Sequence, residues 1–157
     1  MKQTVYLETT VISYYTAKPS RDLIVAGHQQ ITTEWWEKSL PKFDCYISEF
    51  IIDEAERGDE EASKKRIDVV SQFPLLTVND EIQKIAQTYF ERLTIPEKAR
   101  LDAAHLAIAC YYKMDYLLSW NCKHIVSGKV RMKLQELNRI IQLHTPIICT
   151  PEELLEI

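Results

Sequence analysis

Residues 100–121 read RLDAAHLAIACYYKMDYLLSWN, and this stretch decides the fold. Leu101, His105, Ile108 and Tyr112 follow the i, i+4, i+7 rhythm of a packed helix. Ala103, Ala104, Ala107 and Ala109 let that helix sit close to whatever it covers. Asp102 stands near its start, where packing asks for no carboxylate. Tyr116, Leu117 and Leu118 then form an apolar run of the kind found in a strand covered on both faces. The run ends at Ser119-Trp120-Asn121, where polarity changes abruptly. A helix carrying one acid, followed by a strand ending on a polar group, builds a site at the carboxyl edge of a sheet.

The same alternation repeats along the chain. Apolar runs begin near residues 4, 44, 75, 116 and 147, each separated by helical periodicity. That pattern predicts an α/β fold: a three-layer α/β/α sandwich around a mostly parallel sheet of about five strands. The first strand, residues 4–7, is expected to be central, with later strands added on either side. Ser20 is expected to cap a long helix from residue 21 to about 39, with Asp22 in its first turn and Ile24, Ile31 and Trp35 on its inner face. Trp35 and Trp36 are adjacent, so one of the two is expected to be half exposed, marking a partner surface. Ser48 is placed to cap the following helix, which closes towards Gly58. Val130, Leu134, Leu137 and Ile141 stand at core spacing in a helix over 129–143. Thr150-Pro151-Glu152-Glu153 has the form of a capping box with proline at the first helical position.

At 157 residues, the chain is expected to form one domain over 1–157 with a core of its own. Three glycines and the absence of GxGxxG or GxxxxGK[ST] argue against a glycine-rich phosphate loop. A net charge of −4 excludes a broad basic footprint for duplex nucleic acid. Residues 123–139 nevertheless carry Lys123, Lys129, Arg131, Lys133 and Arg139 against the single acid Glu136. Such a strip can meet a phosphate backbone or simply be a solvated face. Cys45, Cys110, Cys122 and Cys149 form no CxxC pair, which argues against a structural zinc site. No signal peptide or membrane-length apolar run is visible, so a reduced, cytoplasmic protein with no membrane association is expected.

Acids and amides at the predicted carboxyl ends of the strands are Glu8, Glu54, Asp102 and Asn121. Singly, Glu8 reads equally as an exposed strand-end acid, Glu54 as part of a solvated helix face with Asp53 and Glu56, and Asn121 as a turn residue. Asp102 stands apart because its neighbours are apolar. His105 reads as a packed or hydrogen-bonded helix histidine, and His124 as a contact to phosphate or a bystander.

VYLETTVIS, SEFIIDEAERG, RLDAAHLAIA and DYLLSWNCKHI together resemble the four motifs of PIN-domain proteins, including VapC-type toxins. In that family the first strand ends on an acid followed by a small polar residue. A serine after strand two is followed six residues later by a glutamate and four later by glycine, as in Ser48, Glu54 and Gly58. The resemblance spans nearly the whole chain. It implies a Mg2+- or Mn2+-dependent endoribonuclease, with RNA as substrate and an antitoxin protein or a second copy of the chain as partner. A catalytically weak module that binds RNA or protein on the same scaffold is the alternative.

The resemblance assigns Glu8 and Asp102 as direct metal ligands, Glu54 as a metal ligand or a base acting through water, Asn121 as the group orienting a ligating water, and Thr10 and Ser119 as supports. Lys123 and His124 are then candidates for substrate phosphate. Hard divalent cations prefer such oxygen ligands and retain several waters. Two departures bear on affinity. Glu8 replaces the family's usual aspartate, moving the carboxylate by about 1.5 Å along its stem, and Asn121 removes one negative charge. An aspartyl-phosphate phosphatase is disfavoured, because Glu8-Thr9-Thr10 offers no aspartate nucleophile after the first strand.

Overall fold

Strand β1 (Thr4–Leu7) lies at the centre of a five-stranded sheet of order β3-β2-β1-β4-β5. In this computed structural model, which describes residues 1–155, the other strands are β2 (Asp44–Ser48), β3 (Leu75–Leu76), β4 (Tyr116–Leu118) and β5 (Ile147–Cys149). Every neighbouring pair is parallel, with Val5 opposite Cys45 on one side and Tyr116 on the other. The central position of β1 follows from its sequence: Val5, Tyr6 and Leu7 are fully buried, as a strand covered on both faces requires.

Parallel neighbours need crossovers, and helices supply them. These are α1 (Thr9–Thr16), α2 (Leu23–Lys38), α3 (Glu49–Ala55), α4 (Glu60–Val70), α5 (Asp80–Arg92), α6 (Arg100–Tyr111) and α7 (Gly128–Ile141). Helices α5 and α6 pack along one another, while α1 packs against α2 and α4. The three-layer α/β/α architecture expected from the repeating pattern is the one observed. Helix α6 is buried continuously from Ala103 to Cys110, so its alanines permit close approach on every side. No helix among the described residues is long and apolar enough to cross a membrane.

Several local expectations are corrected. Helix α2 is capped by Asp22, whose carboxylate accepts from the Ile24 and Val25 amides, and Ser20 instead accepts from the Asp22 amide. Ile24 is 71% exposed rather than inward. Trp35 and Trp36 are both buried, because α2 is covered on two sides: Trp35 stacks on Phe43, and Trp36 lies flat on Tyr15 at 4.1 Å between centroids. Ile141 is 38% exposed rather than in the core, and Asn138 takes an inner position of α7. There Asn138 receives the Tyr89 hydroxyl and donates to Thr145 Oγ1 at 2.9 Å. The box at Thr150 closes reciprocally with Glu153 but leads only into a short turn at Glu152–Leu154. Leu155 is extended, so the helix expected there stops after that turn, and residues 156–157 lie outside the described residues.

Candidate active site

Because all strands point the same way, the residues that follow β1, β2 and β4 meet at one edge. Strand order reverses at β1, with β2 on one side and β4 on the other, so the crevice beyond β1 and β4 is the topological switch point. Glu8 and Ser119 flank it.

Glu8 is 3% exposed and caps α1. Its Oε1 accepts from the hydroxyls of Thr10 and Ser119, each at 2.6 Å, and its Oε2 accepts from the Thr10 amide at 3.2 Å. The longer stem of glutamate is thus folded back over the first turn of its own helix. Thr10 Oγ1 also accepts from the Trp120 amide at 2.8 Å, and Ser119 Oγ from the Asn121 amide at 2.9 Å. The Ser119–Glu8 and Trp120–Thr10 bonds join residues 111 and 110 positions apart in sequence. Burial pushes the Glu8 carboxyl above its usual range, and neighbouring Glu54 adds to this. His105 and the two hydroxyls oppose the shift without cancelling it.

Glu54, in the last turn of α3, is held through one oxygen. Its Oε1 accepts from Thr9 Oγ1 at 2.6 Å and from His105 Nε2 at 2.6 Å, while Oε2 makes no hydrogen bond among the described residues. Burial raises this carboxyl, but the hydrogen bond and charge of His105, with Thr9 and Arg57, outweigh it and hold Glu54 below its usual range. His105 is fully buried on α6. Burial opposes its protonation, yet Glu54 foremost, then Glu8 and Asp102, push its pKa upward. The three acids therefore share one imidazole as their electrostatic neighbour.

Asp102, in the first turn of α6, is likewise held through one oxygen: Oδ2 meets His124 Nδ1 at 3.1 Å. His124 sits on a turn that Asn121 caps, with Asn121 Oδ1 accepting from the His124 amide at 3.1 Å. Lys123 is exposed on the same turn. Asn121 thus acts in the chain as a turn cap, the ordinary role of asparagine after a strand. A cleft of about 470 Å³, lined by Phe50, Arg57, Leu101 and Ala104, includes none of the three acids in its lining. In the basic strip, Arg131 donates to the Ile148 carbonyl and lies 4.0 Å from Glu153, so it is engaged by the fold.

Thr9, Tyr6 and Ser48 were not singled out by sequence for the site. Two adjacent threonines after a strand-end acid were the available signal for Thr9: Thr10 serves Glu8 and Thr9 serves Glu54. Ser48 makes no side-chain cap on α3, contrary to expectation. Its Oγ meets the Tyr6 hydroxyl at 2.8 Å, and that hydroxyl meets His105 Nδ1 at 2.7 Å.

The side chains suit a hard cation by donor type, all being carboxylate, amide or hydroxyl oxygens. Glu54 and Asp102 each keep one carboxylate oxygen unused by the chain. Among the described residues, however, no three His, Cys, Asp or Glu side chains are arranged to hold a metal ion. Fit in donor chemistry is present, and a closed ligand set is not.

No family model and no curated protein matches this sequence. Solved structures do match in fold. The chain is similar to VapC20 of Mycobacterium tuberculosis, described as a toxin cleaving the sarcin-ricin loop. Its TM-score is 0.60 at 12% identity, covering 76% of this chain and 91% of that one. It is also similar to a chain of VapBC2 from Rickettsia felis, solved with a DNA fragment from its promoter. There the TM-score is 0.59 at 12% identity, covering 94% of this chain and 98% of that one. The fold is that of these VapC structures.

Proposed function

We propose that this chain, which carries the fold of VapC structures, is a Mg2+- or Mn2+-dependent endoribonuclease of the PIN type. It hydrolyses RNA phosphodiesters as the toxin of a toxin–antitoxin pair, and an antitoxin protein or a second copy of the chain is its partner. The observation that supports this is the His105–Glu54 contact at 2.6 Å at the sheet edge, with Glu8 and Asp102 acting on the same imidazole through space. Grouping acids at one sheet edge is unfavourable without a cation to relieve it.

Glu8, Glu54 and Asp102 would hold the ion, and it would supply an activated water and charge neutralisation at the scissile phosphate. Thr10 and Ser119 hold Glu8 in place, and Thr9 does the same for Glu54. Asn121 fixes the turn that carries Lys123 and His124, which would meet an incoming phosphate. His124 anchors itself on Asp102 through Nδ1 and leaves Nε2 for the substrate.

The test is Asp102→Asn, which keeps a partner for His124 while removing one charge. Manganese-dependent cleavage of RNA is expected to disappear with thermal stability retained. A variant that cuts as well as the parent would refute the assignment.

One observation favours a second function, a module that binds RNA or protein without cutting. Glu8 already accepts three hydrogen bonds from the chain, and no three-group metal cluster is formed. Calorimetric titration with Mn2+ separates the two, because the non-catalytic module gives no heat.

A further inference from the structure

A hydrogen-bonded chain runs through the core beside the candidate site. Ser48 Oγ meets Tyr6 OH at 2.8 Å, Tyr6 OH meets His105 Nδ1 at 2.7 Å, and His105 Nε2 meets Glu54 Oε1 at 2.6 Å. Ser48, Tyr6 and His105 are all fully buried. They come from the end of β2, from β1 and from α6, so the chain crosses three elements to reach a fourth.

Hydrocarbon would fill this volume at less cost, since a buried polar network stabilises only when each member is satisfied. Here each member is. Facing an ionised carboxylate, which can only accept, His105 Nε2 must carry a hydrogen. Phe50 closes against the imidazole edge-on, with centroids 6.1 Å apart, and restricts its rotation. Thr9 and His105 grip the same oxygen of Glu54 from opposite elements, α1 and α6. Two donors on Oε1 fix the plane of the carboxylate and direct Oε2 away from both.

We propose that His105 is a positioning residue for Glu54, and that Ser48 and Tyr6 hold its ring in the orientation this requires. The inference rests on the metal site of the proposed function for its purpose, but its geometry stands apart from it. It also gives a reason for a serine six residues before a glutamate: both ends of that spacing are joined through one tyrosine and one histidine. Partners that orient metal-ligating groups in this way typically alter metal affinity or activity roughly 10–100-fold when removed.

The experiment compares the full-length parent with His105→Leu, His105→Gln and Tyr6→Phe, by calorimetric Mn2+ titration and by crystal structures of the parent and His105→Leu. In His105→Leu the Mn2+ dissociation constant is expected to rise by roughly 10–100-fold, with the Glu54 carboxylate rotated from its place. His105→Gln, whose amide can still donate to Oε1, is expected to recover most of the affinity. Tyr6→Phe, which removes one atom from the core, is expected to fall between the two. Parental Mn2+ affinity in His105→Leu, or a Glu54 carboxylate unmoved in its crystal, overturns the proposal. Should His105→Leu not fold, Tyr6→Phe decides, and parental affinity in that variant overturns it. A parent that takes up no Mn2+ removes the proposed metal site, and the position of Glu54 in the two crystals then decides the positioning role alone.

Discussion

Thr10→Val is the most informative test of how Glu8 is held. Valine keeps the branched shape at the start of α1 and deletes only the hydroxyl. Two bonds go with it: the one that Thr10 Oγ1 donates to Glu8 at 2.6 Å, and the one it accepts from the Trp120 amide at 2.8 Å. A hydrogen bond to a charged group contributes about 1.5–3 kcal/mol, and a stranded backbone donor costs about 1–3 kcal/mol. Lower ends of both ranges give a loss of about 2.5 kcal/mol. At about 2–4 °C per kcal/mol for a domain of this size, Tm should fall by about 5–10 °C. Urea unfolding should show the midpoint shifted with its slope unchanged. Thr9→Val removes one bond to Glu54, whose side chain is 24% exposed, and should cost only about 1 kcal/mol. A Thr10→Val protein within 1 kcal/mol of the parent, or more stable than Thr9→Val, refutes the account of Glu8 as the buried anchor.

Four further outcomes are expected. Cys122 is exposed, whereas burial pushes the Cys45 and Cys149 thiols up to about 12 and Cys110 to about 11. A thiol reagent at neutral pH should therefore modify one cysteine in the native protein and four in urea, as counted by mass spectrometry. Thr94 is an exposed β-branched residue at φ 59°, so Thr94→Gly should stabilise by about 1 kcal/mol in urea unfolding. Asn138→Leu removes the amide oxygen that receives the buried Tyr89 hydroxyl and should destabilise by about 1–3 kcal/mol, read from the same unfolding curves. The Glu54–His105 pair sets a pH window. Depressed in the fold, Glu54 contributes stability above its ordinary 4.5 that is lost as pH falls through its lower folded value. Raised in the fold, His105 contributes stability below its ordinary 6.5 that is lost as pH rises through its higher folded value. Unfolding followed against pH should thus show a broad maximum between these values, sloping downward with rising pH because Glu8, raised in the fold, loses stability as pH climbs from its ordinary 4.5. His105→Gln should flatten both shoulders.

The sheet was legible because buried parallel strands are short apolar runs, and five of them stand between helical stretches. Asp102 was legible for a different reason: a carboxylate among alanines has no packing purpose. What escaped the sequence is pairing at long range. Nothing local at Glu54 announces that His105, 51 residues away, takes its Oε1. Ser48 has the sequence of a helix cap, and a cap was the expectation. Burial of Tyr6 beside it offered a stronger partner, and tertiary contact prevailed over local propensity. The two tryptophans failed similarly, since helical periodicity assumes one covered face and α2 has two. Closure of the three acids into a metal-holding set was expected from the resemblance, and the side-chain placement does not display it.

The central place of β1 has a consequence for the order in which this protein matures during synthesis. A ribosome that has made the first hundred residues has already released Glu8 and Glu54, but neither Asp102 nor Ser119. Until β4 docks beside β1, the Glu8 carboxylate lacks a hydroxyl supplied from 111 positions downstream. Loop closure over such a span is slow compared with local helix formation. The acidic pocket is therefore among the last parts of the molecule to take shape, and a chain stalled before residue 119 carries two of its acids without the framework that holds them.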